Sequence, residues 1–387
     1  MSIFNNLETA FKDKTNFDLN RAYFLFLTIN NSTFTYILTY ILKIAIYLRI
    51  PISSIIKLTI YKHFCGGTNI EDSQKTINKL WQSNIGTILD FSSEGKEKED
   101  DFNKVLKEII SSINKAKDNA SIPFAVFKPT GLTPFNLLEK INNKENLNEK
   151  EIQENIKFEE RINSICKTAN KNNIPVFIDA EESWIQDGID TIALNMMKKY
   201  NKKKAIIFNT LQLYRKDRIQ YLNDMIEDAK EKKYIIGIKL VRGAYHEKEV
   251  KRAQVYNTIC PVYKEKDKTD KDYNKAIKIC IENINHVELC AGTHNEESIL
   301  ILIQLMKQHN IDNNNKKIYI SQLLGMSDNI SYNAAKENYN VAKYVPYGPV
   351  KDVLPYLIRR AQENTSISGQ MGRELQNIIK EKKRRSS

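Results

Sequence analysis

Cysteine is sparse in this chain and shows no pairing pattern. The five cysteines, Cys65, Cys166, Cys260, Cys280 and Cys290, are odd in number and no CxxC occurs. Neither a disulfide framework nor a zinc site is indicated, and a reducing compartment fits best. Also missing are the GxGxxG of dinucleotide-binding βαβ units, the P-loop and the HExxH of zinc peptidases, so the motif support for those chemistries is gone. The first twenty residues mix Glu, Asp and Lys and hold no apolar run, unlike a cleaved signal peptide. Charge is absent from Ala22 to Leu42, but Asn30, Asn31, Ser32 and Thr33 interrupt the stretch. It is long enough to span a bilayer, yet amides and hydroxyls are costly in hydrocarbon. They read instead as a turn and helix cap between two helices, with Pro51 opening a third. Residues 1–63 thus read as a helical arm packed on the domain that follows.

The 387 residues are 41% apolar and 27% charged, a composition that can bury a sizeable core. A net charge of +12 admits an anionic partner such as nucleic acid or a membrane surface. Against this, the lysines are scattered among glutamates. The one dense basic run is Lys380, Lys382, Lys383, Arg384 and Arg385, with Glu381 near its start; it reads as a solvated end.

From about residue 85 short apolar or β-branched runs recur, each followed by a charged helical stretch. The runs are Ile85–Phe91, Phe124–Lys128, Ile174–Asp179, Lys204–Asn209, Tyr234–Val241, His286–Ala291, Ile318–Leu323 and Asn340–Val345. Strands joined by helical crossovers pair in parallel, and near-continuous apolar runs such as IIGIKLV suit strands covered on both faces. Eight such units predict an α/β fold, a closed (β/α)8 TIM-type barrel. A doubly wound open sheet is the competing architecture. The predicted organisation is a helical arm over 1–80, the barrel over 81–378 and a basic tail over 379–387.

Barrel chemistry sits on the loops after the strands, and there the polar residues gather. The second run ends Lys128-Pro129-Thr130-Gly131, the third Asp179-Ala180-Glu181-Glu182, and the fourth Asn209-Thr210-Leu211-Gln212. The fifth ends Lys239-Leu240-Val241-Arg242-Gly243-Ala244-Tyr245, and the sixth Gly292-Thr293-His294-Asn295. No comparable clustering marks the opposite ends. Taken singly, each has a plainer reading. Lys128 can be a surface lysine, and His294 a structural hydrogen-bonding group rather than a general base. Arg359-Arg360 can be a solvated helical pair. Asp179 and Glu181 share a face and could do acid–base work, or the glutamates could cap the next helix. Ile235, Gly237, Lys239 and Val241 share the other periodicity; if that side is interior, Lys239 points at a ligand and Gly237 leaves room beside it.

The blocks IDAEESW, KLVRGAY, AGTHNEES and YLIRRAQEN, in this order, together with CGG at Cys65–Gly67 and FKPTGL at Phe127–Leu132, resemble the proline dehydrogenases over about residues 60–378. The resemblance implies a barrel with non-covalent FAD across the strand C-terminal ends. It implies oxidation of L-proline to 1-pyrroline-5-carboxylate, the first step of proline catabolism, with electrons passed to a membrane quinone. It assigns Lys128, Arg359 and Arg360 to the substrate carboxylate, Asp179 to the ring side and to Lys128, and Tyr245, Leu323 and Tyr344 to the pocket wall. Lys239 stands where many members have an Arg near flavin N5, so the cation is kept and the planar fork lost. Gln212, Arg242, Gly243, Thr269, Thr293, His294 and Glu363 fall in flavin-contact blocks. Tyr344 implies proline over 4-hydroxyproline, since relatives favouring the latter carry a smaller Ser. The implied location is cytoplasmic and peripheral to a membrane, or the matrix side of the inner membrane in a eukaryote. A hydroxyproline dehydrogenase of the same fold, a Schiff-base aldolase using Lys128 or Lys239 and a basic nucleic-acid-binding protein are the alternatives.

Overall fold

The computed structural model describes residues 3–29, 40, 53–92, 97–366 and 370–386, without the side chains at 53, 55 and 361–371. Eight strands alternate with helices: β1 (Ile85–Phe91), β2 (Phe124–Phe127), β3 (Val176–Ile178), β4 (Ile207–Gln212), β5 (Ile236–Val241), β6 (Val287–Gly292), β7 (Ile318–Leu323) and β8 (Val341–Tyr347). Their order is that of a closed barrel, β1 to β8, and the registers are parallel. The predicted barrel is therefore the fold observed, and the open sheet is excluded.

Three strands extend beyond their predicted runs, β6 by a single residue to Gly292 and β4 and β8 by more. β4 starts at Ile207, not Lys204, because the Asn201 side chain takes the N–H groups of Ile206 and Ile207 at 2.9 and 2.8 Å. It continues through polar Asn209, Thr210 and Gln212, all buried. β8 runs past Val345 to Tyr347, with Pro346 inside it. Pro346 has no donor to lose at this end, and its carbonyl accepts from the Gly66 N–H at 2.9 Å. Local caps set the helix limits. Asn148 and Glu151 form a capping box ahead of Glu149–Asn172, which stops at left-handed Asn173. Asn295 accepts from the Ser298 N–H to open Glu296–Gln308; such caps contribute about 1 kcal/mol each.

The chain divides into two compact units, Ser93–Ser321 on one hand and Met1–Ser92 with Gln322–Ser387 on the other. In the first, the aromatic rings of β2, β3 and β4 pack together. Phe124 stacks on Phe177 at 4.4 Å, and Phe208 meets both edge-on at 5.5 and 5.3 Å.

In the second unit β1 and β8 pair from Ile85↔Val341 to Phe91↔Tyr347. A core of Phe11, Leu19, Phe26, Phe64, Leu357 and Ile378 joins the N-terminal helices to those after β8. The helix Gln370–Ser386 lies against Asn16–Ile29. Its last turn qualifies the reading of a solvated basic end: Lys380, Lys383 and Arg384 are exposed as expected, whereas Lys382 and Arg385 pack against the N-terminal helices. Glu381 is fully buried and accepts from Arg384 at 2.8 Å and Arg385 at 2.7 Å, while Arg385 also reaches the carbonyls of Phe11 and Lys14, each at 2.8 Å. Lys382 sits over the Tyr23 ring. The predicted turn at Asn30–Thr33 and helix start at Pro51 lie outside the described residues. Among the described residues no helix is long and apolar enough to cross a membrane.

Candidate active site

In the unit Ser93–Ser321, strand alternation places polar side chains directly above the aromatic floor. Phe177, Phe208 and Gly237 sit at one level. A Cβ on Gly237 would come within 2.6 Å of the Phe208 ring, so the room its absence leaves is taken by Phe208 and not by a ligand, contrary to the expectation above. Two residues further along the same strands stand Asp179, Thr210 and Lys239, all buried. Lys239 does point inward: its ammonium lies 5.1 Å from the centre of the Phe177 ring and pairs closely with Asp179.

Asp179 is the hub of this layer. One oxygen takes Lys239 and the other takes Lys128, at 3.3 Å. Lys128 occupies the N-cap position of the short turn Pro129–Gly131 that follows β2, so the ends of three strands, β2, β3 and β5, contribute to one ion set. Burial opposes ionisation of Asp179, but the charges of Lys239 and Lys128 outweigh it and hold the carboxyl below its ordinary range. Thr210, register partner of Lys239, has a buried hydroxyl with no hydrogen-bond partner among the described residues. An orphaned hydroxyl costs about 1–3 kcal/mol, which marks a position where an incoming group could accept or donate.

The two acids of IDAEE have opposite environments. Glu181 faces Thr130, whose N–H and hydroxyl reach its two oxygens at 2.9 and 2.5 Å. Burial pushes its carboxyl up to about 8. Neither Glu181 nor Glu182 caps the next helix through its side chain, as the sequence had allowed. Glu249 does so from the helix after β5, accepting from the Ser183 N–H at 2.7 Å and hydroxyl at 2.6 Å, and Glu182 pairs with Lys248 at 2.5 Å.

Further round the rim, Arg242 is spread over three partners. Its guanidinium reaches Asp270 at 2.6 Å, the Thr293 hydroxyl at 2.5 Å and the Ser298 hydroxyl at 2.9 Å, and covers the Tyr273 ring at 4.4 Å. Thr269, next to Asp270, is buried in the helix Lys266–Glu282, and His294 is half-buried just after β6. Gly243 has φ +137°, and a Cβ there would enter the Tyr214 ring at 2.4 Å, so only glycine lets the backbone between Arg242 and Ala244 pass against that ring. Gln212 bridges backbone, donating to the Glu181 carbonyl at 2.7 Å and accepting from the Ala244 N–H at 3.1 Å. Tyr245 is buried and begins the helix His246–Val255.

The remaining candidates belong to the other unit. Tyr344 is buried in β8, and its carbonyl accepts from the Leu324 N–H at 2.8 Å, next to half-buried Leu323. Arg359 and Arg360 are half-buried on the helix Val350–Ser366, with Arg360 over the Tyr356 ring at 5.6 Å. Glu363 lies on the same helix, and its side chain is outside the described residues. Lys343, beside Tyr344 in the eighth run, is fully buried and bound to Asp328 at 2.8 Å and the Met326 carbonyl at 2.5 Å. Sequence reasoning passed over Thr130 as a partner of Glu181 and Asp270 as the support of Arg242. Thr130 was within the FKPTGL block; nothing local marked Asp270.

A family model described as "Proline dehydrogenase" matches residues 73–373. Proline dehydrogenase 1, mitochondrial, of Dictyostelium discoideum is 33% identical over 385 residues, covering 87% of this chain and 66% of that protein. The carbapenem antibiotics biosynthesis protein CarD of Pectobacterium carotovorum subsp. carotovorum is 31% identical over 322 residues, covering 83% of each. Among solved structures, proline utilization A (PutA) from Bdellovibrio bacteriovorus inactivated by N-propargylglycine superposes with a TM-score of 0.73 at 18% identity. That likeness shows the fold, over 95% of this chain and 39% of that one. The chain thus spans just under two thirds of the amoebal relative and about two fifths of the PutA chain.

Proposed function

This chain belongs to the proline dehydrogenase family, and on that premise we propose that it oxidises L-proline to 1-pyrroline-5-carboxylate with bound FAD, passing electrons to a membrane quinone. The observation that carries the reading is the ion set Lys128–Asp179–Lys239, with Asp179 and Lys239 buried, at the C-terminal ends of β2, β3 and β5. Barrel enzymes build their chemistry at those ends.

The residues fit a flavin nucleotide. It is rich in carbonyl and phosphate acceptors, and the rim is rich in donors: Lys239, Arg242, Gln212, Thr293, His294 and the orphaned Thr210 hydroxyl. Gln212, Lys239, Arg242, Gly243, Thr269, Thr293, His294 and Glu363 are proposed to hold it. When bound, the flavin would accept a hydride from the ring carbon beside nitrogen while the amine loses a proton, leaving the cyclic imine. Lys128, Arg359 and Arg360 would fix the substrate carboxylate, each charge-assisted bond contributing about 1.5–3 kcal/mol. Asp179 would orient Lys128 and Lys239, and Tyr245, Leu323 and Tyr344 would keep water from the ring. A positive Lys239 favours negative charge nearby and so would favour the reduced cofactor.

Relatives named as mitochondrial support a mitochondrial location, and a matrix-side, membrane-peripheral placement there is part of the proposal. The test of function is the visible spectrum of FAD-reconstituted protein under anaerobic conditions. Millimolar proline is expected to bleach the flavin bands; a folded, flavin-loaded preparation that stays yellow refutes the reading.

A further inference from the structure

The roles above leave the buried carboxyl of Glu181, two residues beyond Asp179, unused. Glu181 stands at the middle of a hydrogen-bonded chain around the strand ends. Thr130, after β2, donates its N–H and hydroxyl to the two Glu181 oxygens at 2.9 and 2.5 Å. The Glu181 backbone is held in turn, its N–H by Gln186 at 2.8 Å and its carbonyl by Gln212 at 2.7 Å. Gln212 then accepts from the Ala244 N–H, after β5, at 3.1 Å. Every link adjoins a site residue: Thr130 follows Lys128 by two positions, Glu181 follows Asp179 by two, and Ala244 directly precedes Tyr245.

A helix cap does not explain Glu181, because Ser183 is already capped by Glu249. Nor does it act as a counter-ion. Burial raises its carboxyl to about 8, with Glu182 adding to the rise and Thr130 and Lys128 opposing it, so near neutrality the group is largely protonated. In that state its O–H donates to the Thr130 hydroxyl oxygen while the other oxygen accepts the Thr130 N–H, which ties the β2 and β3 loops without competing with Asp179 for Lys128. Once ionised, it would draw Lys128 away from Asp179.

We propose that Glu181 is a positioning residue: by joining the loops after β2 and β3 it sets Lys128 against Asp179, and through Gln212 it extends the hold to the loop carrying Tyr245. This rests on the proline-oxidation reading.

The test compares the flavin-loaded wild type with Glu181→Gln and Glu181→Ala. Loop displacement of about 1 Å can cost on the order of 100-fold. The Ala variant is therefore expected to raise KM for proline by about 10- to 100-fold, with kcat changed less than about tenfold. The Gln variant keeps a neutral amide in place and is expected to stay within about threefold of wild type, less than 1 kcal/mol. Its kcat/KM relative to wild type should also climb as pH passes about 8, where wild-type Glu181 ionises. Wild-type KM in the Ala variant, or a Gln variant no better than Ala at equal Tm, overturns the proposal. If Ala fails to fold or to retain flavin, Thr130→Val, which removes only the hydroxyl bond, must itself raise KM; unchanged kinetics there overturn it equally. A wild type that proline cannot reduce ends the functional reading itself, a result distinct from silent Glu181 variants of an active enzyme.

Discussion

Asp179 and Tyr344 carry the sharpest consequences of single side chains. Asp179 faces buried Lys239 and half-buried Lys128, so removing its charge while keeping its shape leaves both ammonium groups without their shared carboxylate. Truncating one partner of such a buried pair costs about 2–4 kcal/mol, and Asp179→Asn is expected to lower kcat/KM for proline by about 30- to 1000-fold, with Tm also reduced. Steady-state kinetics with an artificial acceptor measure it, and a change under about threefold would mean that the pair is only structural. Tyr344 is buried in β8. Overpacking a ring hydroxyl against it costs about 1–3 kcal/mol, so the ratio of kcat/KM for proline over 4-hydroxyproline should lie between about 5- and 150-fold. Tyr344→Ser should move that ratio toward hydroxyproline; an unmoved ratio removes Tyr344 from substrate selection.

Among the elements, the helix Gln370–Ser386 shows how local composition misleads. A run of lysines and arginines reads as solvated, yet this helix has an apolar side, with Leu375 and Ile378 in the core. Arg385 spends its guanidinium on the carbonyls of Phe11 and Lys14 and on buried Glu381. Hydrogen bonds to a charged group contribute about 1.5–3 kcal/mol each, so Arg385→Ala is expected to destabilise the chain by about 2–4 kcal/mol. Urea unfolding gives the value directly. A loss below about 0.5 kcal/mol, the range of ordinary surface changes, would mean that the end is solvated after all. β4 teaches the converse lesson. Its polar end, Asn209 to Gln212, reads as loop, but inside a barrel whose upper layer is polar those residues remain strand.

At the scale of the molecule, buried titrating groups shape stability against pH in opposing directions. Burial, with the charge of Lys14, lowers His63 to about 4 against an ordinary 6.5. Between those values the unfolded chain binds the extra proton, so stability rises with pH. Asp328 works in the same sense at lower pH. Although burial opposes it, Lys14 and Lys343 hold the carboxyl below its ordinary 3.8, and its contribution is lost as pH falls through that range. Burial has the opposite effect on Glu181, raised to about 8, and on Glu374, raised to about 7 with help from Asp328. From the ordinary 4.5 upward the folded state holds the proton and the unfolded chain does not, so their contribution declines until those values are passed. Thermal unfolding from pH 4 to 9 should therefore show a maximum, and Glu374→Gln should flatten the decline between about 4.5 and 7. An identical slope in the variant contradicts the assignment.

The sequence by itself determined the repeat of strand and helix, and hence the barrel, because burial on both faces and helical amphipathicity are local patterns. It also determined where polar residues gather, since their places at the strand ends survive in the linear text. What it left open were partners. Whether Asp179 or Glu181 keeps its proton, whether Lys239 meets a ring or solvent, and which acid caps the helix at Ser183 depend on residues 50 or more positions away. Those choices are settled by desolvation and by distances between side chains, quantities that come into being only when the strands stand side by side. The aromatic floor that fills the space beside Gly237, and the Glu249 carboxylate that frees Glu181 for Thr130, are the tertiary facts that turn a list of polar residues into an arrangement.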